Sequence, residues 1–200
     1  MKLRRVLSLS AASAALLPVA VAAAPASQAA PDADVPTCYD LDTAHGQYHG
    51  NTLVGRTFGV PRSITPGTGW TTYTATLTNA SAKKLRSFEL SAELGSYVYN
   101  EGERDLSPYG DLQYWDTSRH AWTTLRRADG KAGGTVPGPT TLEPRASVHV
   151  QLRFRVGGDL PMDQTYDAFT GVVGTFVDHY RDTDCSAHGN ADGSFFPHKA

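Results

Sequence analysis

Val148-His149-Val150-Gln151-Leu152-Arg153-Phe154-Arg155-Val156 is the stretch that decides the fold. Apolar side chains occupy every second position and polar ones fill the gaps, which is the period of a strand with one buried and one wet face. Phe88, Leu90, Ala92 and Leu94 alternate with Ser87, Glu89, Ser91 and Glu93 in the same way. Tyr73, Ala75 and Leu77 alternate with threonines whose β-branched side chains suit a pleated surface. Shorter runs at Leu53 to Val60, Asp111 to Asp116, Ala121 to Arg126 and Thr170 to Val177 bring the count to about seven strands. None of the longer runs keeps helical spacing. The expected fold is therefore all-β, an antiparallel immunoglobulin-like β-sandwich with Tyr73, Leu77, Phe88, Leu90, Val150, Leu152 and Phe154 inside.

Turn residues separate the runs at Pro61 to Gly69, Asn79-Ala80-Ser81 and Gly157 to Pro161. The stretch from Ala128 to Arg145, with its glycines and prolines around Gly133 to Pro139, reads as a long mobile surface loop. Outside the strands, 27–51 and 179–200 read as irregular segments, one holding Cys38 and the other Cys185, so the sandwich proper is expected over 52–178.

The amino end has a different character. Met1-Lys2-Leu3-Arg4-Arg5 is cationic, and Val6 to Ala24 is Ala-rich and apolar, broken by Pro18 and too short for the ~20 residues that cross a bilayer. This is the layout of a cleavable signal peptide over 1–26, cut before Ser27, with a second acceptable site after Ala29. Export by the general secretory route to the extracellular space follows. Losing Lys2, Arg4 and Arg5 from 18 basic residues leaves 15 against 20 acidic ones, a formal charge of −5. Such a chain has no electrostatic footprint for nucleic acid or for anionic lipid, and no membrane attachment is expected after cleavage. Two cysteines in an oxidising compartment predict one disulfide, Cys38–Cys185.

Thr65-Pro66-Gly67-Thr68-Gly69-Trp70, the Thr-rich run Tyr73 to Asn79, Leu112 to Asp116 with Trp122 to Leu125, and Leu142-Glu143-Pro144 before Val148 together resemble an immunoglobulin-like module of secreted and cell-surface proteins of high-GC Gram-positive bacteria such as Streptomyces. The likeness covers roughly Leu53 to Asp178. It implies a structural or interaction domain and supplies no catalytic residues.

Searching for chemistry gives little. There is no Gly-x-Ser-x-Gly elbow, His-Glu-x-x-His helix or phosphate-cradling loop, so no catalytic residues and no cofactor are predicted. Glu101 and Glu103 form a carboxylate pair of the kind glycoside hydrolysis uses, but on a loop of mixed charge they read as solvent-facing. Asp40, Asp42, His45 and His49 at one end, and Asp178, His179, Asp182, Asp184 and His188 at the other, are a workable set for a transition metal. Gly46 interrupts the helix that would align the first two imidazoles, and no metal site is predicted. Asn190-Ala191-Asp192-Gly193 resembles part of a calcium loop but has His188 and Lys199 where carboxylates are required.

Aromatic side chains crowd the middle of the chain. Tyr114, Trp122 and Leu125 are assigned to core packing, which leaves Tyr99, Tyr109 and Trp115 as the candidate binding residues, on the loop from Tyr97 to Asp111 and the adjoining Trp115 face. The expected function is an extracellular structural or interaction domain that is not an enzyme and that meets a protein or glycan partner. The alternatives are a small secreted hydrolase with a loop-built site, and a secreted inhibitor or carbohydrate-binding module.

Overall fold

The computed structural model describes residues 35–42, 48, 50–98 and 104–199. The segment read as a signal peptide, His45, His49, Tyr99, Glu101 and Glu103 lie outside the described residues. In chain order the elements are α1 (Cys38–Asp42), β1 (Leu53–Phe58), β2 (Ser63–Ile64), β3 (Thr71–Asn79), β4 (Leu85–Ser96), a 3-10 turn (Ser107–Tyr109), β5 (Gly110–Asp116), β6 (Ala121–Leu125), β7 (Gly133–Val136), β8 (Thr141–Leu142), β9 (Ser147–Val156), β10 (Ala168–Tyr180) and β11 (Thr183–Pro197). Among the described residues no helix is long and apolar enough to cross a membrane.

Two sheets form a β-sandwich. One runs β1-β3-β9-β5-β6 with every pair antiparallel. The other runs β2-β11-β10-β4-β7, with β8 also on β4 and only the short β2 parallel to its neighbour. The alternation read from the sequence sets the register. Tyr73 faces Leu152 and Ala75 faces Val150, so the buried sets of β3 and β9 share one face and Thr72 and Arg153 share the other. All seven residues expected inside are buried. A Tyr73 hydroxyl and Thr170 Oγ1, 2.7 Å apart, pair between the two sheets, which satisfies both groups in an otherwise apolar interior.

Three expectations are corrected. The segment 179–200 is not an irregular tail: β10 continues to Tyr180, and Thr183 to Pro197 is the longest strand, paired along β10 from Tyr180–Thr183 to Ala168–Phe195. Its inward positions are Cys185, Ala187, Gly189, Ala191, Gly193 and Phe195, mostly small residues that carry little hydrophobic signal. They are small because β1 lies directly over β11. A Cβ on Gly189 would come within 2.6 Å of Leu53 Cβ, and one on Gly55 within 1.8 Å of the Asn190 carbonyl oxygen. The connection from Ala128 to Arg145 is likewise held down, since β7 and β8 pair with β4 and bury Ala132, Val136 and Leu142. Within 27–51, Cys38 to Asp42 is a short helix, and Thr37 starts it by accepting the Asp40 amide at 3.1 Å. Among the described residues there are eleven strands and not seven because β11 was read as an irregular tail and because β2, β7 and β8 are two to four residues long, below what periodicity can detect.

The predicted Cys38–Cys185 disulfide is present and fastens α1 to β11. Asn79 closes the same end of the sandwich, where Leu142 pairs with Leu85 and Arg86 with Val177, next to the Asp178–Cys185 pair. Fully buried at the end of β3, its amide donates to the carbonyls of Lys83, Leu142 and Glu143 at 2.7, 3.1 and 3.1 Å, and its Oδ1 accepts from the Ser81 amide and hydroxyl.

Candidate binding surface

Once the inner faces of β3, β9 and β5 are buried, their alternate residues must stand on the outer face of the five-stranded sheet. That face carries Arg153 and Arg155 from β9, Asp111, Gln113 and Trp115 from β5, and Trp122 and Thr124 from β6. Register places Trp115 directly opposite Trp122, and Gln113 between Thr124 and Arg153. Trp70, just before β3, folds over the same face. The Arg153 guanidinium lies 4.5 Å from the ring centroids of both Trp70 and Trp122, and Arg155 lies 4.8 Å from Trp70. Trp122 in turn meets Trp115 edge-on at 5.4 Å.

The result is a row of indole, guanidinium, indole and indole that contains all three tryptophans of the chain. Each indole is half-buried, so its position is set while part of its surface stays in water. Cation–π contacts of this kind contribute about 0.5–1 kcal/mol each at exposed sites. Hydrogen bonds fix the polar groups: Arg153 Nε donates to Gln113 Oε1 at 2.8 Å, and Asp111 accepts from Arg155 at 2.8 Å and Arg126 at 2.6 Å. At the end of the β5–β6 hairpin, Asp116 accepts from the Ser118 hydroxyl and from the Ser118 and Arg119 amides, which hold its carboxyl below the usual range.

Two depressions adjoin the face. One, of about 450 Å³, lies over β1 and β3 between Arg56, Phe58, Arg145 and His149. The other, of about 410 Å³, is a cleft where β5 and β9 part company, because their pairing ends at Tyr114–Leu152 while both strands run on; it runs from Trp115 and Gln151 on the outer face in to Val150 and to Val136 and Pro137 of the opposite sheet. Thr76 Oγ1 and His149 Nδ1 are 3.0 Å apart. A hydroxyl beside an imidazole is two parts of a nucleophilic triad, but among the described residues no carboxylate orients this ring.

Of the residues singled out from sequence, Trp115 belongs to this face. Tyr109 does not: it sits in the 3-10 turn, half-buried against the core. Six extended residues at about 3.3 Å each separate it from Trp115 by roughly 20 Å, so the two cannot share a small ligand. Tyr99 lies outside the described residues. Trp122 is corrected from core to surface. The signal was present, since Trp122 and the buried Leu125 are three residues apart and must point to opposite faces of a strand. Trp70 and Arg153 were missed as binding candidates because nothing local shows that they meet.

At the disulfide end, the chain holds a tyrosine cluster. Tyr48 packs edge-on against Tyr39 and Tyr180, each at 5.2 Å. Buried Asp42 accepts from the Tyr180 hydroxyl at 2.8 Å and from the Tyr48 amide, and Tyr48 donates its hydroxyl to Asp178 at 3.2 Å. Burial, then the Asp178 charge, pushes the Tyr48 hydroxyl far above its usual range. His179 pairs with Asp184 at 2.8 Å, and His188 packs on Tyr39. Among the described residues no three His, Cys, Asp or Glu side chains are placed to hold a metal ion.

No protein-family model matches the sequence, and no curated protein matches it. Similar folds occur among solved structures. AvmM, which catalyses macrocyclization in alchivemycin A biosynthesis, is 17% identical over 74% of this chain and 90% of its own, with a TM-score of 0.51. The reeler domain of human F-spondin is 16% identical over 74% of this chain and 89% of its own, with a TM-score of 0.36. A PapD-like domain of human CEP192 is 13% identical over 74% and 87%, with a TM-score of 0.31. At 17% identity the likeness to AvmM concerns fold alone; the sheet pairing itself makes the chain an all-β protein built as a β-sandwich.

Proposed function

We propose that this chain is an exported, non-enzymatic β-sandwich module of the immunoglobulin-like kind found in secreted proteins of high-GC Gram-positive bacteria, and that it acts outside the cell by binding a partner through its tryptophan face. One observation carries the reading: three tryptophans distant in sequence converge, half-buried, on one sheet face around Arg153. Indoles immobilised before binding lose little freedom when a partner arrives, which is what gives aromatic anchors their weight at interfaces. Export is supported by the cationic start, the apolar run and a disulfide that needs an oxidising compartment.

The test uses protein recovered from culture medium, whose intact mass should correspond to a start at Ser27 or Ala30. Because every tryptophan lies on the proposed surface, intrinsic fluorescence reports occupancy directly. A glycan array and immobilised extracellular proteins supply partners. Trp122→Ala should weaken capture by about tenfold or more, as truncation of an anchor does, while Tyr109→Phe should leave it unchanged. Capture by a folded Trp115→Ala, Trp122→Ala double variant equal to that of the wild type would exclude this surface.

A further inference from the structure

The two depressions share His149, and register lays one track across the outer face between them: Phe58 pairs with Thr74, Thr74 with Gln151, and Trp115 follows the last β5–β9 pair, Tyr114–Leu152. It starts at Phe58 on β1, crosses β3 and β9, and ends at Trp115 on β5. Three strand spacings of about 4.8 Å carry it across roughly 14 Å, perpendicular to the strands. An aromatic ring stands at each end, and Phe58 is 62% exposed. The floor between them is hydroxyl and amide: Thr76, Thr74 and Gln151.

Charge is distributed unevenly over the molecule. After loss of the signal segment the chain is acidic, yet the outer face of this sheet and its margin carry Arg56, Arg126, Arg145, Arg153 and Arg155. The carboxylates on or beside it are already engaged: Asp111 with Arg126 and Arg155, Asp116 with Arg119, and Glu143 with Lys84. Arg56, Arg145 and Arg153 make no ion pair among the described residues. Guanidinium groups of this kind bind carboxylate or sulfate through a forked pair of hydrogen bonds.

We infer that the track binds an extended anionic polysaccharide, with its rings on Phe58 and Trp115 and its acid groups on Arg56 and Arg145. This rests on the reading of the tryptophan face as a binding surface. A neutral glycan would leave the arginines without a role. Single-stranded nucleic acid is the competing polyanion, and the titration includes it as a separate arm.

The experiment titrates the mature, disulfide-bonded protein at low salt with polygalacturonate, dextran sulfate, neutral dextran and single-stranded DNA, followed by tryptophan emission and affinity electrophoresis. Polygalacturonate or dextran sulfate should bind and be released by salt. The Arg56→Gln, Arg145→Asn double variant should lose about tenfold or more in affinity. Asparagine is chosen at 145 because that residue has a φ of 64°, which asparagine tolerates. Thermal unfolding checks that the variant folds. Absence of binding to both anionic chains, equal binding of neutral dextran, stronger binding of DNA, or full binding by the arginine variant would each overturn the inference. If the arginine variant keeps a partner that Trp115→Ala, Trp122→Ala loses, only the ligand class is wrong; if both variants keep it, the tryptophan face fails as well.

Discussion

Arg153 and Glu93 occupy equivalent outward positions on opposite sheets, and their neighbours give them opposite fates. Arg153 is held between two indoles and an amide oxygen. Glu93 is half-buried, and burial lifts its carboxyl above the usual range; Arg127 opposes that, and Asp192 and Asp105 reinforce it. Register explains the reinforcement, because Gly171 lies between Glu93 and Asp192 and offers no side chain to separate them. A carboxyl with a raised folded pKa favours folding while protonated and loses that contribution as pH rises through the folded value. Glu93→Gln should therefore be more stable than wild type at pH 7, and the difference should vanish near pH 4, about where an unfolded glutamate titrates. Urea midpoints at the two pH values measure it, and a variant weaker than wild type at pH 7 would contradict the assignment.

Among the elements, the hairpin of β10 and β11 was hidden for two physical reasons. Its inner face on β11 is built of small residues, and its two-residue turn, Arg181-Asp182, lacks the Asn-Gly signal although both residues take positive φ, 52° and 61°. Each feature makes a prediction. Asp182→Gly removes the strain of a side chain in left-handed backbone and should stabilise the protein by about 0.5–1 kcal/mol. Gly189→Ala drives a methyl into Leu53 and should destabilise by about 3 kcal/mol or more by prying β1 from β11. Chemical denaturation measures both. Equal, small effects would mean that β1 and β11 are not in backbone contact.

For the whole molecule, the disulfide joins α1 to β11, across 147 residues. The chain-entropy account sets an upper figure of about 5 kcal/mol for such a closure, and residual structure in the unfolded chain lowers it. Cys38→Ala, Cys185→Ala should thus lose about 2–5 kcal/mol in equilibrium unfolding. The sheets should persist, because α1 adds little to a core built from β3, β4, β9 and β10. A circular dichroism spectrum unlike that of the wild type under native conditions would show that the bond is required for the sandwich itself.

Alternation in β3, β4 and β9 was enough to determine the fold class and the inward face of each of those strands, because a period of two leaves only one face to bury. The two cysteines determined their own pairing, there being no other partner for either. Tertiary structure alone decided that Gly- and Ala-bearing β11 is a full strand, since its small residues answer to β1, which lies more than a hundred positions away. It alone decided the candidate surface too. Trp70, Trp115, Trp122 and Arg153 come from four separate segments, and only sheet order brings them side by side.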